Sequence, residues 1–197
     1  MKLVLATKNK GKIKEFTAAF EQVGYDIVTL DELPYVEEPE ETGTTFAENA
    51  LLKAKYYALQ TGYACLADDS GLMVDALDGA PGIYSARYAG VEGADKDAAN
   101  NAKLIECLQD VPQAERTARY VCALALVAMG DEDPLVTEGY CEGCIVSEPI
   151  GEGGFGYDPY FYVDTYGTTM ANITLQEKQE ISHRGQALRK MLEKVKA

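Results

Sequence analysis

The stretch Leu3-Val4-Leu5-Ala6-Thr7-Lys8-Asn9-Lys10-Gly11-Lys12-Ile13-Lys14-Glu15-Phe16 decides the fold. Its first four residues are an apolar run of the kind that forms a buried strand. A polar loop with Gly11 follows, and Lys10 to Val23 carries a helical pattern closed by Gly24. Strand, loop and helix in that order open an α/β protein. The same stretch raises a question of charge. Lys8, Lys10, Lys12 and Lys14 crowd together in a chain with 18 Lys+Arg against 32 Asp+Glu, a formal net charge of −14. Lysines are unfavourable beside the positive end of a helix dipole unless an anion sits there. The first turn of such a helix also offers backbone N–H groups. Thr7, Lys8, Asn9, Lys10, Gly11 and Lys12 are therefore a candidate phosphate cradle. The alternative is a solvated helix start whose lysines offset nearby acids. It is not a Walker A loop, because the leading glycine is absent and Ile13 stands where Ser or Thr would bind magnesium.

Further along, Asp26 to Leu30 reads as a second strand, and Leu33 to Gly43 as a loop bearing Glu37, Glu38, Glu40 and Glu41 around Pro39. Thr45 and Glu48 form a capping box that opens a helix to about Thr61. Ala64 to Ala67 is expected as a short strand that delivers Asp68, Asp69 and Ser70 at its end. The Gly- and Pro-punctuated segment around residues 78–90 has no clear pattern, and Asp95 to Leu108 reads as a helix. Ala118 to Met129 and Leu135 to Ser147 are β-rich and are expected to pair across the Gly130–Pro134 turn. Tyr160 to Val163 is another strand. Thr174 and Glu177 form a second capping box before a short helix, and Ser182 can cap a terminal helix through Val195. No internal repeat or linker divides the chain. The order of elements indicates α/β with a mixed sheet.

Composition narrows the function classes. A chain of 197 residues, 47% hydrophobic and 25% charged, is expected as one globular domain covering residues 1–197. No apolar run is long enough to span a bilayer, and the N-terminus lacks the regions of a secretory signal, so a cytoplasmic location is expected. The acidic balance argues against a binder of nucleic-acid polymers, whose affinity would rest on a basic face. Five cysteines, an odd number, do not suggest a secreted disulfide framework. Cys141 and Cys144 form a C-x-x-C, but no second pair accompanies it and His183 is the sole histidine; free thiols on a strand are expected.

A second letter match is misleading. Gly151 to Gly156 fits G-x-G-x-x-G, yet a dinucleotide fingerprint must open a helix after a strand. This one runs into Tyr157-Asp158-Pro159 and a further strand. Glycine with aromatics suggests instead a close-approach loop where Phe155 or Tyr157 can stack on a flat ring. Asp68, Asp69 and Ser70, at the end of a strand, lie where α/β folds place ligand residues. Neighbouring strand residues face opposite ways, so one carboxylate of the pair is expected in any given pocket. The acidic loop can supply another oxygen, and hard carboxylates suit Mg²⁺ bound together with phosphates. Ser182-His183-Arg184-Gly185 sets a cationic pair at a helix start, with Lys178 one turn upstream.

Taken together these segments closely resemble the inosine triphosphate pyrophosphatase family, whose members hydrolyse non-standard purine nucleoside triphosphates such as dITP, ITP and XTP. The matching stretches are LATKNKGKIKE, EETGTTFAENALLKA, ADDSGLMVDALDGAPGIYSARY, GGFGYDPYF and EKQEISHRGQAL, in the family's order over almost the whole chain. The resemblance implies a two-lobed α/β fold with a central mixed sheet flanked by helices, an active-site cleft between the lobes, and a homodimer. It implies release of pyrophosphate and a nucleoside monophosphate. By matching position, Thr7 to Lys12 would hold phosphates, with Lys53 from the next helix. Asp69 would be the catalytic carboxylate, completing a Mg²⁺ site with Glu40 or its neighbour Glu41. Ser70 would touch substrate; Phe155, Gly156, Tyr157 and Asp158 would line the nucleoside pocket; and Lys178, His183 and Arg184 would close on base and phosphates. Lys8, where many relatives carry Gly, and Asn172, where they often have Glu, depart from the pattern. The readings set beside this one are a pyrophosphatase acting on other modified nucleotides and a nucleotide-binding protein without turnover.

Overall fold

Strand β1 (Lys2–Leu5) begins the fold as a buried run, eased into α1 (Lys10–Glu21) by a loop of four residues. The computed structural model describes residues 1–128, 130 and 133–196. β2 (Asp26–Thr29) returns parallel to β1, as a strand must after a crossover helix. α2 (Phe46–Thr61) starts at the expected capping box and ends on Gly62 in the left-handed conformation. It leads into β3 (Ala64–Val74), which pairs parallel to β1 on the side away from β2. A 3₁₀ turn (Asp75–Leu77) precedes the segment that has no clear pattern in the sequence, and a second (Gly82–Arg87) lies within it. Then come α3 (Lys96–Cys107), β4 (Thr117–Val127), β5 (Leu135–Ile145), β6 (Phe161–Val163), β7 (Thr168–Thr169), α4 (Leu175–Ile181) and α5 (His183–Lys196).

Among the described residues the strands form one seven-stranded sheet in the order β2-β1-β3-β4-β5-β6-β7. It is parallel on the β1 side and antiparallel where β5, β6 and β7 pair, hence mixed as expected. β4 and β5 are neighbours, as their patterns indicated; the Gly130–Pro134 turn falls partly outside the described residues.

Two units with separate cores make up the chain. The first comprises Met1–Asp69, Cys122–Gly139 and the residues from Arg184 onward. Its core joins Leu3, Leu5 and Leu66 of the parallel strands to Phe16 and Phe20 of α1 and Leu188 and Met191 of α5. The second comprises Ser70–Val121 and Tyr140–His183. Its core sets Leu72 and Val74 with Leu104, Leu108, Tyr120, Tyr157 and Phe161. The unit boundary falls within β3, β4 and β5.

One expectation is corrected. β3 does not stop at Ala67; it runs eleven residues to Val74, so Asp68, Asp69 and Ser70 lie inside the strand. Asp-Asp-Ser-Gly has the composition of a turn, and sheet pairing overrides that local preference. The functional placement survives, because β1 ends at Leu5, level with Leu66. Asp68 and Asp69 therefore lie just beyond the carboxyl end of their parallel neighbour.

Candidate active site

In the first unit, the loop between β1 and α1 is organised by Asn9. It is the N-cap of α1, and its Oδ1 accepts from the N–H groups of Gly11 at 2.9 Å and Lys12 at 3.1 Å. The Asn9 N–H in turn donates to Thr7 Oγ1. Two of the donors expected to meet a phosphate are thus taken by the chain's own cap. What the loop presents is its lysines. Lys8 and Lys10 are exposed, and Lys8 lies 3.2 Å from Glu38.

Lys12 turns inward, with its Nζ 2.6 Å from Asp68 Oδ2. That residue is only 3% exposed. Burial pushes the Asp68 carboxyl upward, but the charge and hydrogen bond of Lys12, aided by Arg184 and Lys53, outweigh it and hold the group below its ordinary value. Asp68 is thus an anion set among three cations. Arg184, at the head of α5, is also tied to Glu15 of α1 at 3.5 Å.

Asp69 faces a different partner. Asn49 of α2, fully buried, donates from Nδ2 to Asp69 Oδ2 at 3.1 Å. Its Oδ1 accepts from the Gly43 N–H at 2.8 Å. One amide thereby joins the end of the acidic loop to the central carboxylate. A side chain at Gly43 would stand 2.6 Å from that same Oδ1, so the close approach needs glycine. Sequence reasoning missed Asn49; its signal was a polar residue on the apolar face of a capped helix, four positions before Lys53.

Lys53 reaches Glu41 at 2.7 Å, and both are largely covered. Burial alone would lower the Lys53 ammonium, yet Glu41, Asp69 and Asp68 more than compensate and leave it raised. Of the four acids in the loop, Glu41 is the one drawn to this centre. Glu37 and Glu40 do not share that ion pair, and Glu38 goes to Lys8. Among the described residues no three His, Cys, Asp or Glu side chains gather as a cage for a metal ion. Asp69 and Glu41 still fit Mg²⁺, which is held by one or two carboxylates together with substrate phosphates and water.

In the second unit, the Gly-rich loop surrounds Asp158. This residue, 3% exposed, accepts from Tyr120 Oη at 3.0 Å, the Phe155 N–H at 3.0 Å and Lys178 Nζ at 2.5 Å. Gly154 has φ +73°, and a Cβ there would overlap Asp158 Oδ2, so the loop closes only around glycine. No helix comes after it; the chain turns into β6, which disposes of the dinucleotide reading. Phe155 is 67% exposed, with Lys178 Nζ 5.0 Å from its ring centre. Tyr157 is buried and donates its hydroxyl to the Ser85 carbonyl at 2.7 Å. Of the two aromatics, Phe155 is the one left to stack on a ligand. The His183 ring stacks on Tyr120 at 5.1 Å. Ser70 lies half-buried on β3. Cys141 and Cys144 are free thiols on β5, as expected.

These features define a mixed-sheet α/β protein with two groups of polar side chains. One is an acid–lysine centre suited to a polyphosphate with a hard cation. The other is a glycine-rich loop that presents an aromatic face. The chain belongs to the Ham1 family, whose model matches residues 3–194. It is 54% identical over 193 residues to a dITP/XTP pyrophosphatase of Desulforamulus reducens, covering 98% of this chain and 94% of the relative. A dITP/XTP pyrophosphatase of Yersinia pseudotuberculosis is 51% identical, with 98% and 96% covered. The solved Ham1 protein of Staphylococcus aureus is similar with a TM-score of 0.90 at 40% identity, covering 100% of this chain and 98% of that one.

Proposed function

We propose that this chain is a nucleoside triphosphate pyrophosphatase that hydrolyses non-standard purine nucleotides, dITP, ITP and XTP, to the monophosphate and pyrophosphate. The observation that carries the reading is a pair of lysines turned into one centre, Lys12 on the buried Asp68 and Lys53 on Glu41, directly beside an Asp69 held by a buried amide. In a chain with a net charge of −14, a polyanionic ligand gives such a local cationic cluster its purpose. The names carried by relatives about half identical in sequence support the same activity.

In this reading the triphosphate meets the first unit, with Lys8, Lys10 and Lys12 around it and Lys53 neutralising its charge. Asn9 fixes the loop, and Thr7 and Gly11 shape its backbone. Water attacks the α-phosphorus in line, and Asp69 accepts its proton. Asp69 and Glu41, the neighbour of Glu40, would hold Mg²⁺, which would supply charge neutralisation to the phosphates. Phe155 and the Gly156 backbone meet a purine base, with Lys178 and His183 beside it, Ser70 near the sugar, and Tyr157 and Asp158 holding the loop. Arg184 donates to the 6-oxygen of hypoxanthine or xanthine. It is donor-only and would leave the adenine amino group unpaired, which is how a buried polar site discriminates. We further propose that residues 1–197 act as one domain, in the cytoplasm, as a homodimer.

Pyrophosphate release from ITP, XTP, dUTP and ATP, with and without Mg²⁺, tests the reading. The expected result is Mg²⁺-dependent release from ITP and XTP, abolished in a folded Asp69→Asn variant. Near wild-type turnover by that variant at saturating Mg²⁺ refutes the assignment. Binding of ITP without release would make the chain a nucleotide-binding protein.

A further inference from the structure

Helix α3 carries no residue of the site as read from the sequence, yet two of its side chains hold the loop that meets the base. Asp97 and Asn101 stand one helical turn apart and reach the same glycine. The Gly156 N–H donates to Asp97 Oδ2 at 2.9 Å, and Asn101 Nδ2 donates to the Gly156 carbonyl at 2.8 Å. Gly156 sits at φ +60°, and a Cβ built there meets nothing within 4 Å. The glycine is therefore required by conformation, and such a residue is mobile unless its two polar groups are engaged. Here both are engaged. Asn101 is 8% exposed. Its Oδ1 has no hydrogen-bond partner among the described residues, so the Gly156 carbonyl sets which way the amide points. The residue before Gly156 is the exposed Phe155.

We infer that Asp97 and Asn101 are positioning residues for nucleobase recognition, gripping the Gly156 peptides so that the Phe155 face is offered to a purine in one orientation. The inference rests on the reading of Gly154–Asp158 as the base loop. Its physical basis is preorganisation: a loop ordered before binding spares the ligand that ordering cost. The phosphate centre is untouched, so the effect belongs to the base alone.

The test uses the full chain and the variants Asp97→Ala, Asn101→Ala and Asn101→Leu, the last keeping the side-chain volume without a donor. Each should raise the KM for ITP about tenfold, the size expected for one lost hydrogen bond in a covered site, with kcat changed less than about threefold. Inhibition by inorganic pyrophosphate should stay within about twofold of wild type, since it senses only the phosphate centre. Asp97→Asn keeps an acceptor and should restore KM to within about threefold of wild type. A KM for ITP unmoved in all three variants overturns the inference. So does a KM that rises in step with the pyrophosphate inhibition constant, which would mark general loosening. Failure of the wild type to release pyrophosphate from ITP would instead overturn the reaction reading. Calorimetric titration with inosine monophosphate then tests the clamp alone: weakening by about tenfold or more in the variants supports it, and binding as tight as that of the wild type overturns it.

Discussion

The Lys12–Asp68 pair is the strongest lever on this molecule, and Lys12→Met measures it. The Asp68 side chain is 2% exposed and that of Lys12 20%, so the two partners differ in what each can do alone. Without Lys12 the carboxylate stays out of water with its nearest compensating charge gone. Removing one partner of a buried pair costs about 3–5 kcal/mol. Arg184 and Lys53 still act on Asp68, which places the expected loss near the lower end, about 3 kcal/mol. For a chain of this length that corresponds to a fall in melting temperature of roughly 6–12 °C. Methionine fills much of the same space, so lost packing contributes little. The double variant Lys12→Met/Asp68→Asn removes the stranded charge and should recover a large part of the loss. Thermal melting monitored by circular dichroism reads all of these variants. A Lys12→Met protein melting within about 2 °C of wild type, or a double variant no more stable than the single one, refutes the argument.

Two other outcomes are expected. Arg184→Ala should narrow the preference for ITP over ATP by about tenfold or more, because a charged donor to the 6-oxygen is lost; an unchanged ratio of kcat/KM values counts against that contact. Stability should fall with rising pH on the alkaline side. Burial pushes the Cys65 thiol from 9.0 up to about 12, so the folded state binds its proton more tightly than the unfolded chain. That contribution is fully present below pH 9 and declines by about 1.4 kcal/mol for each pH unit above it, until the folded value is reached. Urea midpoints between about pH 8 and 11 should show a shallower decline for Cys65→Ala than for wild type, and equal slopes would sink the attribution.

Much of the first unit was legible along the chain. The strand–loop–helix opening, the capping box at Thr45 and the glycine stop at Gly62 are local devices, read from residues within one or two turns of each other, as is the second capping box at Thr174. Gly151–Gly156 is excluded as a dinucleotide loop by an equally local signal, since the residues immediately after it form a turn and a strand rather than a helix. The extent of β3 was not legible, because Asp68, Asp69 and Ser70 stay extended through pairing with strands distant in the chain rather than through their own preference.

The sequence by itself determined the order of elements, the residue types available for chemistry and the cluster of lysines in an acidic chain, since periodicity and capping act over a few residues. Only the tertiary structure decided which atoms meet. Lys12 and Asp68 are 56 positions apart, Asn101 and Gly156 are 55 apart, and Asn49 reaches Asp69 across 20. It singled out Glu41 among four neighbouring acids and turned Asn9 back onto its own helix. A hydrogen bond or ion pair acts over about 3 Å, and a one-dimensional pattern carries no information about which distant side chains packing brings within that range.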